Sequence, residues 1–424
     1  MTLPLSRFIT TQSQLEELAR ELEGSSMLAI DTEFMREKTY YAKLCLLQLN
    51  NGTVSAIVDP LAVTDLSPLV PVLTDENCVK IFHAGTQDIA ILHHETGVTP
   101  SPVFDTQVAA SLLGYPLQVG YGPLVRSVCD VKLAKADSYT DWSKRPLTNS
   151  QIKYALDDVV YLPRVYECLR DELVGKGRLA WCERDFRALA DPASYDVDPR
   201  ETWRRVKRIS SLSRGQLAIA REVAAWRELE AQRRNLPRKW VLADEALIEI
   251  ARKAPKSREA LFEVRGLANK LNGRDVNQIL DAVNRGRDVP QDQWPKLERS
   301  PKGDVEADGA VELLSALLEV RAKENDVAAP LIATHPDLSK LVRGHREGLA
   351  LMEGWRYDLV GRELIDLLEG RLALYLDAGV IKVAQRSAPS SSYRNKTVTR
   401  RARGTDMMDE SKRSRRCACL PGFS

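Results

Sequence analysis

Residues 27–34 read Met-Leu-Ala-Ile-Asp-Thr-Glu-Phe, an apolar run that leads directly into the acidic residues Asp31 and Glu33. Residues two apart in a β-strand lie on the same face, so these two carboxylates are predicted to be neighbours. Neighbouring carboxylates at the end of a buried strand repel each other and lose hydration, and a divalent cation between them relieves both costs. The stretch therefore predicts a strand that carries a metal site, with a strand that ends in a polar turn as the alternative.

A further acidic residue follows the apolar stretch 79–82, which predicts another strand. The chain continues with the run His83-Ala84-Gly85-Thr86-Gln87-Asp88. Gly85 is suited to a tight strand-to-helix turn, which places Asp88 in the first turn of a helix. An aspartate there complements the helix dipole, so Asp88 by itself indicates a helix start as readily as a ligand. His83 by itself indicates a packed or capping residue rather than a ligand.

The third acidic element is Tyr154-Ala155-Leu156-Asp157-Asp158, which lies within a helical pattern. Tyr154 and Asp158 are four residues apart and share one helix face, whereas Asp157 points elsewhere. A tyrosine hydroxyl one turn from a carboxylate can orient a water molecule. The alternative is an amphipathic helix with Tyr154 in the core.

The periodicity of the chain divides it into a mixed half and a helical half. Up to about residue 190, short apolar runs alternate with helical patterns, which predicts a mixed α/β sheet covered by helices. The predicted elements there are helices over 12–23, from 86 and over 149–173, with strands over 44–49, 54–58 and 103–105. Beyond about residue 200 the patterns are helical, over 213–233, 244–253 and 311–376, the last with Leu313, Leu317 and Val320 on one face.

Length and composition narrow the class of protein. A chain of 424 residues with 44% hydrophobic residues predicts two to four domains with real cores. No apolar run approaches the roughly 20 residues that span a bilayer, and the N-terminus lacks a signal-peptide pattern, so a cytoplasmic location is expected. Seven scattered cysteines and five histidines form no disulfide framework or metal pattern. Any bound metal is therefore expected to have oxygen ligands, and nothing suggests an obligate oligomer, so a monomer is expected.

Charge is unevenly distributed along the chain. Residues 386–424 hold ten Lys/Arg and three Asp/Glu, a net charge of +7, whereas the whole chain carries +2, which leaves −5 for residues 1–385. An acidic body excludes a global polyanion binder, so any nucleic-acid surface must be local. The composition beyond about 385 is typical of a disordered tail.

The order Asp-x-Glu, then Asp, then Tyr-x-x-x-Asp resembles the tyrosine-bearing branch of the DEDD exonuclease superfamily, and within it the ribonuclease D family. The runs Thr140–Ser143, Arg145–Leu147 and Gln151–Leu162 support the resemblance, which covers about residues 5–190. Residues 205–287 resemble an HRDC domain on Leu212-Ser213, Trp226-Arg227, Asn235-Leu236-Pro237 and Val264–Leu267, and residues 309–380 look like a diverged second copy.

The resemblance implies an α/β catalytic domain, a ribonuclease H-like mixed sheet with flanking helices, followed by two all-α HRDC-like domains. The implied boundaries are an exonuclease domain over 1–195, an HRDC domain over 205–287, a linker over 288–308, an HRDC-like domain over 309–380 and a basic tail over 381–424.

The resemblance also implies roles for the acidic residues. Asp31, Glu33 and Asp158 would ligate the first of two divalent ions, Mg²⁺ or Mn²⁺, about 4 Å apart. Asp31 would also contact the second ion, with Asp88 acting through water, and Tyr154 would position the attacking water. Candidates for substrate contacts are Thr32, Phe34, Trp142 and Arg145, and more weakly Lys43 and Gln48. For each of these a purely structural role is an equal alternative, and Trp142 in particular is a candidate core residue.

The implied activity is 3′→5′ exoribonucleolytic trimming of precursor tRNA and other small structured RNAs, with single-stranded 3′ ends as substrate and 5′-mononucleotides as product. One alternative is a 3′→5′ exonuclease acting on DNA, because the same metal chemistry serves both polymers. The other is a non-catalytic, RNA-binding helical scaffold. In the HRDC-like region, the basic residues either contact phosphates or form a solvated helix end; they are Arg227, Arg233, Arg234, Arg238 and Lys239.

Overall fold

A computed structural model describes residues 5–134, 140–267, 271–297 and 305–386. The tail predicted to be disordered lies outside the described residues from 387 onwards, as do residues 298–304 of the predicted linker. Strands of the central sheet are β1 (Leu5–Ile9), β2 (Met27–Met35), β3 (Lys43–Asn50), β4 (Val54–Val58), β5 (Val79–Phe82) and β6 (Val103–Asp105).

The six strands form one mixed sheet in the order β1-β4-β3-β2-β5-β6. Strands β4, β3 and β2 pair antiparallel, while β1 pairs parallel with β4, and β2, β5 and β6 run parallel to one another. The strands predicted over 44–49 and 54–58 are present as β3 and β4 and form a hairpin, with the backbone N–H of Asn51 donating to the Val54 carbonyl at its turn. Strand β1 was not predicted, because its five residues, LSRFI, show no clear alternation of apolar and polar side chains.

Helices cover both faces of this sheet. They are α1 (Gln12–Leu22), α2 (Val70–Thr74), α3 (Thr86–Thr96), α4 (Thr106–Ser111), α5 (Tyr121–Cys129), α6 (Asn149–Val160), α7 (Leu162–Gly175) and α8 (Glu183–Ala190). The first three pack with Leu28 and Ile30 on one face, whereas α4, α5 and α7 pack with Ala29 on the other. This division follows from the alternation of side chains along β2. The helical stretch predicted over 149–173 is divided into α6 and α7, with Pro163 in the first turn of α7.

The remaining described elements begin with a helical unit that has its own core. The helices of this unit are α9 (Arg214–Arg234), α10 (Arg238–Val241), α11 (Asp244–Lys253), α12 (Arg258–Phe262) and α13 (Gly273–Arg287). The helices that follow it are α14 (Val305–Glu324), α15 (Ala329–Ile332), α16 (His335–Val342), α17 (Gly354–Arg356) and α18 (Arg362–Leu368), with one π-helical turn over Tyr357–Gly361. Ser213 caps α9 through a capping box, and α11 has the predicted bounds. Residues from Trp203 to Val283 share one hydrophobic cluster. No helix among the described residues is long and apolar enough to cross a membrane.

The last helical region packs directly against the first half of the chain. Val311, Leu314 and Leu317 belong to the same hydrophobic cluster as residues of α5 and α7. The sequence places Leu313 on one helix face with Leu317, but Leu313 is 53% exposed whereas Leu317 is fully buried. Helix α14 is rich in leucine, so two neighbouring sets of apolar residues fit the helical period equally well. Only the elements that pack against the helix determine which set is buried.

A β-hairpin corrects the prediction of helix up to residue 376. Strands β7 (Leu372–Asp377) and β8 (Val380–Gln385) pair antiparallel across a two-residue loop. Ala378 and Gly379 both have positive φ, 48° and 82°, as a tight hairpin turn requires. Leu372, which is buried, begins a run in which leucine recurs at every second residue, a pattern typical of a strand that the helix prediction did not take into account. Helix α14 also begins earlier than predicted, at Val305, within the predicted linker.

Lys80 in β5 provides a prediction about stability. Its side chain is fully buried, its ammonium donates only to the Asp75 carbonyl at 2.7 Å, and burial lowers its pKa to about 8. A folded-state pKa below the unfolded value of about 10.4 means that stability is lost as the pH falls through the folded pKa. We expect Lys80→Met to stabilise the fold by about 1–2 kcal/mol near pH 7, and by less near pH 10.

The measurement for this prediction is urea unfolding at both pH values. Lys43→Met, which changes an exposed lysine on β3 of the same sheet, is the matched control. An equal loss of stability at both pH values in Lys80→Met would contradict the prediction, because it would show that packing rather than ionisation governs this position.

Candidate active site

Strand β2 places Asp31 and Glu33 on the sheet face that α6 covers. Asp31 lies opposite Gln48 in the antiparallel pairing, and Glu33 lies opposite Leu46. The next paired residues are Phe34 and Leu44, so Cys45 is an extra residue on β3. Such a bulge re-aims neighbouring side chains, and it lies here beside the acidic pair.

Helix α6 brings a third carboxylate to this pair. Thr148 caps the helix with a full capping box, which fixes where the helix begins and therefore which residues face the sheet. Ligand oxygens of Asp31, Glu33 and Asp158 all lie within 4.8 Å of one another. Sequence positions more than a hundred residues apart therefore converge on one small volume.

The turn before α3 positions Asp88. Ala84 has a φ of 57°, and the backbone N–H groups of Ala84 and Gly85 donate to the buried carboxylate of Asp105. A Cβ on Gly85 would lie 2.4 Å from the Cβ of Phe82, so only glycine fits there. Asp88 falls in the first turn of α3, as predicted, but outside the three-carboxylate group. Its carboxylate accepts a hydrogen bond from the Thr32 hydroxyl.

Burial and mutual repulsion make this site strongly proton-binding in the absence of a cation. Burial, and then the charges of Asp88 and Asp158, hold the pKa of Asp31 well above its usual range. Burial and the same two charges raise the pKa of Glu33 to about 8. The pKa of Asp158 rises to about 7, mainly through burial, although the Tyr154 hydroxyl acts in the opposite direction. Burial raises the pKa of Asp88 to about 6.

The donor set fits a hard divalent cation. Within the described ranges, none of the four carboxylates forms an ion pair with a protein cation, so no side chain of the chain compensates their charge. Gln48, which is fully buried opposite Asp31, has both its amide oxygen and its amide nitrogen without a partner. An all-oxygen site with a surplus of negative charge suits Mg²⁺ or Mn²⁺.

Tyr154 stands beside this group on α6. Its ring stacks on Trp142, with centroids 5.9 Å apart and planes 28° apart. Burial, followed by the charges of Asp158 and Glu33, raises the pKa of Tyr154. The hydroxyl is therefore neutral near pH 7 and can donate a hydrogen bond or hold a water molecule by its oxygen.

Two of the residues predicted to contact substrate, Trp142 and Arg145, make contacts within the protein instead. Trp142 is buried, 7% exposed, and supports the Tyr154 ring. Arg145 forms a bidentate ion pair with Asp59 at 2.6 and 2.7 Å, and its remaining donors bind the carbonyls of Cys45, Trp142 and Lys144. All the guanidinium donors of Arg145 are therefore used within the protein, which favours the structural role for this residue.

The other candidates for substrate contacts lie either in the site or at its edge. Thr32 is buried and holds Asp88, and Gln48 lies in the site with its amide unpaired. Phe34 is partly buried against the cluster beneath α1 and α3. Lys43 is exposed at the start of β3. Of these, Gln48 faces the carboxylates and Lys43 faces solvent.

Sequence reasoning missed two residues that hold the last turn of α6, where Asp158 lies. The Tyr121 hydroxyl donates to the Asp157 carbonyl at 3.1 Å, and the Asn50 amide donates to the Val159 carbonyl at 3.0 Å. The last carbonyls of a helix lack intrahelical donors, so these side chains satisfy them and fix the turn. No local sequence pattern indicates that a residue caps a helix so far away along the chain.

Removing the Tyr121 hydroxyl tests this positioning role. We expect Tyr121→Phe to lower the kcat of the reaction at this site by about 3- to 10-fold, because one hydrogen bond of about 1 kcal/mol holds the Asp158 turn. KM and the thermal midpoint are expected to change little. Tyr115→Phe, which removes a hydroxyl that contacts only the exposed Ser127, is the control. Equal kcat values in the two variants would contradict the positioning role.

The basic residues of the helical unit are mostly neutralised within it. Arg227 is buried and pairs with Asp244 at 2.7 Å. Arg233 and Arg234 both pair with Glu230, whose pKa falls to about 2, and Arg238 pairs with Glu228. Neither sequence alternative describes Arg227, which is neither solvated nor available to a phosphate. Lys239 is exposed.

Comparisons with known proteins agree with this architecture. A family model described as a 3′-5′ exonuclease matches residues 6–174, and one described as an HRDC domain matches residues 216–283. The chain is 41% identical over 383 residues to ribonuclease D of Sphingobium indicum, covering 89% of this chain and 98% of that one. It is 40% identical over 381 residues to ribonuclease D of Zymomonas mobilis, covering 88% and 96%.

Among solved structures, the chain resembles RNase D of Escherichia coli, described as an exoribonuclease involved in structured RNA processing. The TM-score is 0.74 at 30% identity, and the match covers 86% of this chain and 99% of that chain.

Proposed function

We propose, from the premise that this chain belongs to the ribonuclease D family of 3′→5′ exoribonucleases, that it trims RNA with Asp31, Glu33, Asp88, Tyr154 and Asp158 as its catalytic residues. The observation that carries this assignment is the convergence of Asp31, Glu33 and Asp158, whose ligand oxygens lie within 4.8 Å of one another. Burial without a protein cation explains why such a group needs a metal.

Two divalent ions, Mg²⁺ or Mn²⁺, are the cofactors we propose. When bound, they activate water and stabilise charge on the attacking and leaving oxygens of an in-line phosphodiester displacement. Asp31, Glu33 and Asp158 would hold the first ion. Asp31 would reach the second, with Asp88 contributing from its position beside Thr32. The release of 5′-mononucleotides follows from attack on the phosphate at the 3′-terminal nucleotide.

The protein groups act around the reacting phosphate by holding atoms in place. Tyr154 presents a neutral hydroxyl whose ring is fixed by Trp142, so it orients the attacking water by a hydrogen bond. Asn50 and Tyr121 keep Asp158 in register by binding the carbonyls of its helical turn. The Gln48 amide lies opposite Asp31 and supplies both a donor and an acceptor to this face.

A cavity beside the carboxylates is suited to the terminal nucleotide. It has a volume of about 470 Å³ and is lined by residues that include Lys144, Gln151, Lys153, Tyr154 and Asp158. Concave sites of this size suit a small polar ligand. Lys144 and Lys153 line the wall, where each is paired with an aspartate of the same wall, Asp141 and Asp157.

We further propose that precursor tRNA and other small structured RNAs with single-stranded 3′ ends are the substrates. The E. coli relative is described as involved in structured RNA processing, which supports this class of substrate. The monomeric state, the cytoplasmic location and the domain boundaries derived from the sequence stay predictions.

The test is a cleavage assay on 5′-labelled substrates. Precursor tRNA with a 3′ extension, single-stranded RNA and single-stranded DNA are each incubated with the full chain and Mg²⁺, Mn²⁺ or EDTA. We expect an RNA ladder that shortens from the 3′ end in either metal, no ladder in EDTA, and protection by a 3′-phosphate. Equal or faster shortening of DNA would contradict the RNA assignment, and cleavage within the chain would contradict the exonucleolytic one.

A further inference from the structure

A groove runs from the edge of the candidate active site to the HRDC domain. We call it the junction groove and define it by Arg36, Tyr41, Gln87, His94, Arg205 and Arg238, which line a volume of about 640 Å³. One end of it lies near the candidate active site, because Gln87, which lines the groove, directly precedes Asp88 in the first turn of α3.

Helix α3 sets the direction and length of this groove. The Arg36 guanidinium lies 3.5 Å from the Gln87 side-chain oxygen at the end near the site. His94 lies six residues beyond Asp88 on the same helix, a rise of about 9 Å along the axis. A strand whose last nucleotide is at the carboxylates therefore reaches His94 only with nucleotides that lie further towards its 5′ end.

An aromatic pair stands in the middle of the groove. The rings of Tyr41 and His94 are stacked, with centroids 3.7 Å apart and planes only 6° apart. His94 is exposed, so the outer face of its ring is accessible. Packing of the core does not require this pair, because neither ring belongs to a hydrophobic cluster. A stacked pair with one open face is a platform for a nucleobase.

The groove also holds positive charge that the protein does not neutralise. Arg36 and Arg205 are exposed, and among the residues that the structure describes neither has a carboxylate within ion-pair distance. This contrasts with Arg238, which is paired with Glu228. The groove's own acidic residue, Asp196, lies 3.6 Å from the imidazole of His93. In a body with net negative charge, uncompensated arginines beside an aromatic platform favour a polyanion with stacking bases.

The walls of the groove are preorganised by contacts between the two domains. The backbone N–H groups of Tyr40 and Tyr41 both donate to the Asn235 side chain, at 3.1 and 3.0 Å. Asn235 itself ends α9 in a left-handed conformation, with φ of 49°. The Tyr40 hydroxyl donates to buried Glu228. Binding along such a fixed surface costs little ordering of the protein.

We propose that the junction groove binds the single-stranded RNA that lies immediately 5′ of the nucleotide being removed, with a base stacked on His94 and phosphates held by Arg36 and Arg205. The proposal rests on the exoribonuclease function above and extends it, because it assigns the path of the substrate outside the catalytic cavity. It predicts that RNAs long enough to reach the groove bind more tightly than RNAs that fill only the catalytic cavity.

The test uses full-length protein and 5′-fluorescent oligoribonucleotides of two to eight nucleotides. Dissociation constants are measured in EDTA, which prevents cleavage, and kcat/KM is measured with Mn²⁺. We expect His94→Ala and Arg205→Gln each to weaken binding of the octanucleotide by about 10-fold and to leave the dinucleotide within about twofold. Arg205→Gln should also reduce the salt dependence of octanucleotide binding by about one counterion.

Conservative and distant variants serve as controls. His94→Tyr and Arg205→Lys retain the ring and the charge, and they are expected to restore most of the octanucleotide affinity. His335→Ala and Arg187→Gln change exposed residues of the same types elsewhere, and they are expected to have no effect. Thermal midpoints establish that all variants are folded.

Two kinds of failure are distinguishable. If the wild type shortens RNA but the groove variants bind short and long RNAs as the wild type does, or lose both equally, the groove proposal is overturned and the exoribonuclease function stands. If the wild type shortens no RNA, the proposed function fails, and the binding measurements still decide the groove proposal by themselves.

Discussion

Asp31→Asn is expected to lower the rate of 3′-end trimming by at least about 10³-fold, while RNA binding stays within about threefold of wild type. Asp31 is central to the site, since its pKa responds to the charges of Asp88, Asp158 and Glu33 together. Replacing one carboxylate oxygen by an amide removes the charge that a shared cation needs. RNA binding survives because the substitution takes negative charge away from the place where a phosphate lies.

The same substitution should not weaken the fold. These four carboxylates, of which Asp88 is buried and the other three are partly buried, repel one another, so the loss of one charge is expected to leave the metal-free protein as stable as the wild type or more stable. Lost activity in Asp31→Asn could not then be ascribed to unfolding. The measurements are single-turnover cleavage of 5′-labelled RNA, a dissociation constant in EDTA and a thermal midpoint.

Asp157→Asn is the matched control for this prediction. Asp157 precedes Asp158 on α6, but its side chain pairs with Lys153 at 2.6 Å and is absent from the three-carboxylate group. Its substitution is expected to change the cleavage rate by less than about threefold, as for a surface ion pair. Trimming by Asp31→Asn at a rate near that of the wild type would remove Asp31 from the catalytic residues.

Local sequence patterns were sufficient to predict the strands and helices that carry the carboxylates. The alternation along β2, the need for glycine at position 85 and the four-residue spacing of Tyr154 and Asp158 each follow from backbone geometry alone. The structure places these residues as those rules predict, with Asp88 in the first turn of α3. What the sequence could not provide was their distance from one another, because convergence depends on how α6 packs across the sheet.

Positions whose role depends on a distant partner were predicted less well. Arg145 has the composition of an RNA contact, yet Asp59, far away in sequence, occupies its guanidinium. Tyr121 caps the turn that holds Asp158 although nothing around it in sequence indicates this. Leu313 and Leu314 are equally apolar, and only the neighbouring helices determine which of them is buried. In each case tertiary contacts decide between options that local patterns leave equal.

Removal of divalent cations is expected to reduce cleavage by at least about 10³-fold and, in addition, to change how stability depends on pH. In the metal-free fold, the pKa of Glu33 is about 8, that of Asp158 about 7 and that of Asp88 about 6. These values lie above those of unfolded carboxyl groups, near 4, so the folded state binds more protons between about pH 4 and pH 8. The contribution of these three groups to the stability of the metal-free protein should therefore be full below about pH 4 and should be lost as the pH rises through 6 to 8.

A bound cation competes with those protons, so its stabilising effect must grow as the pH rises. At a concentration of 100 times its dissociation constant, an ion adds about 2.7 kcal/mol to the free energy of unfolding. Thermal midpoints in EDTA and in about 1 mM Mn²⁺ should therefore differ by a few degrees near pH 8.5 and by much less near pH 6. Asp31→Asn should lose most of this difference, whereas Asp157→Asn should keep it. A Mn²⁺ shift that is equal at both pH values, or equal in Asp31→Asn and wild type, would mean that the ion stabilises the protein elsewhere and that these carboxylates are not its ligands.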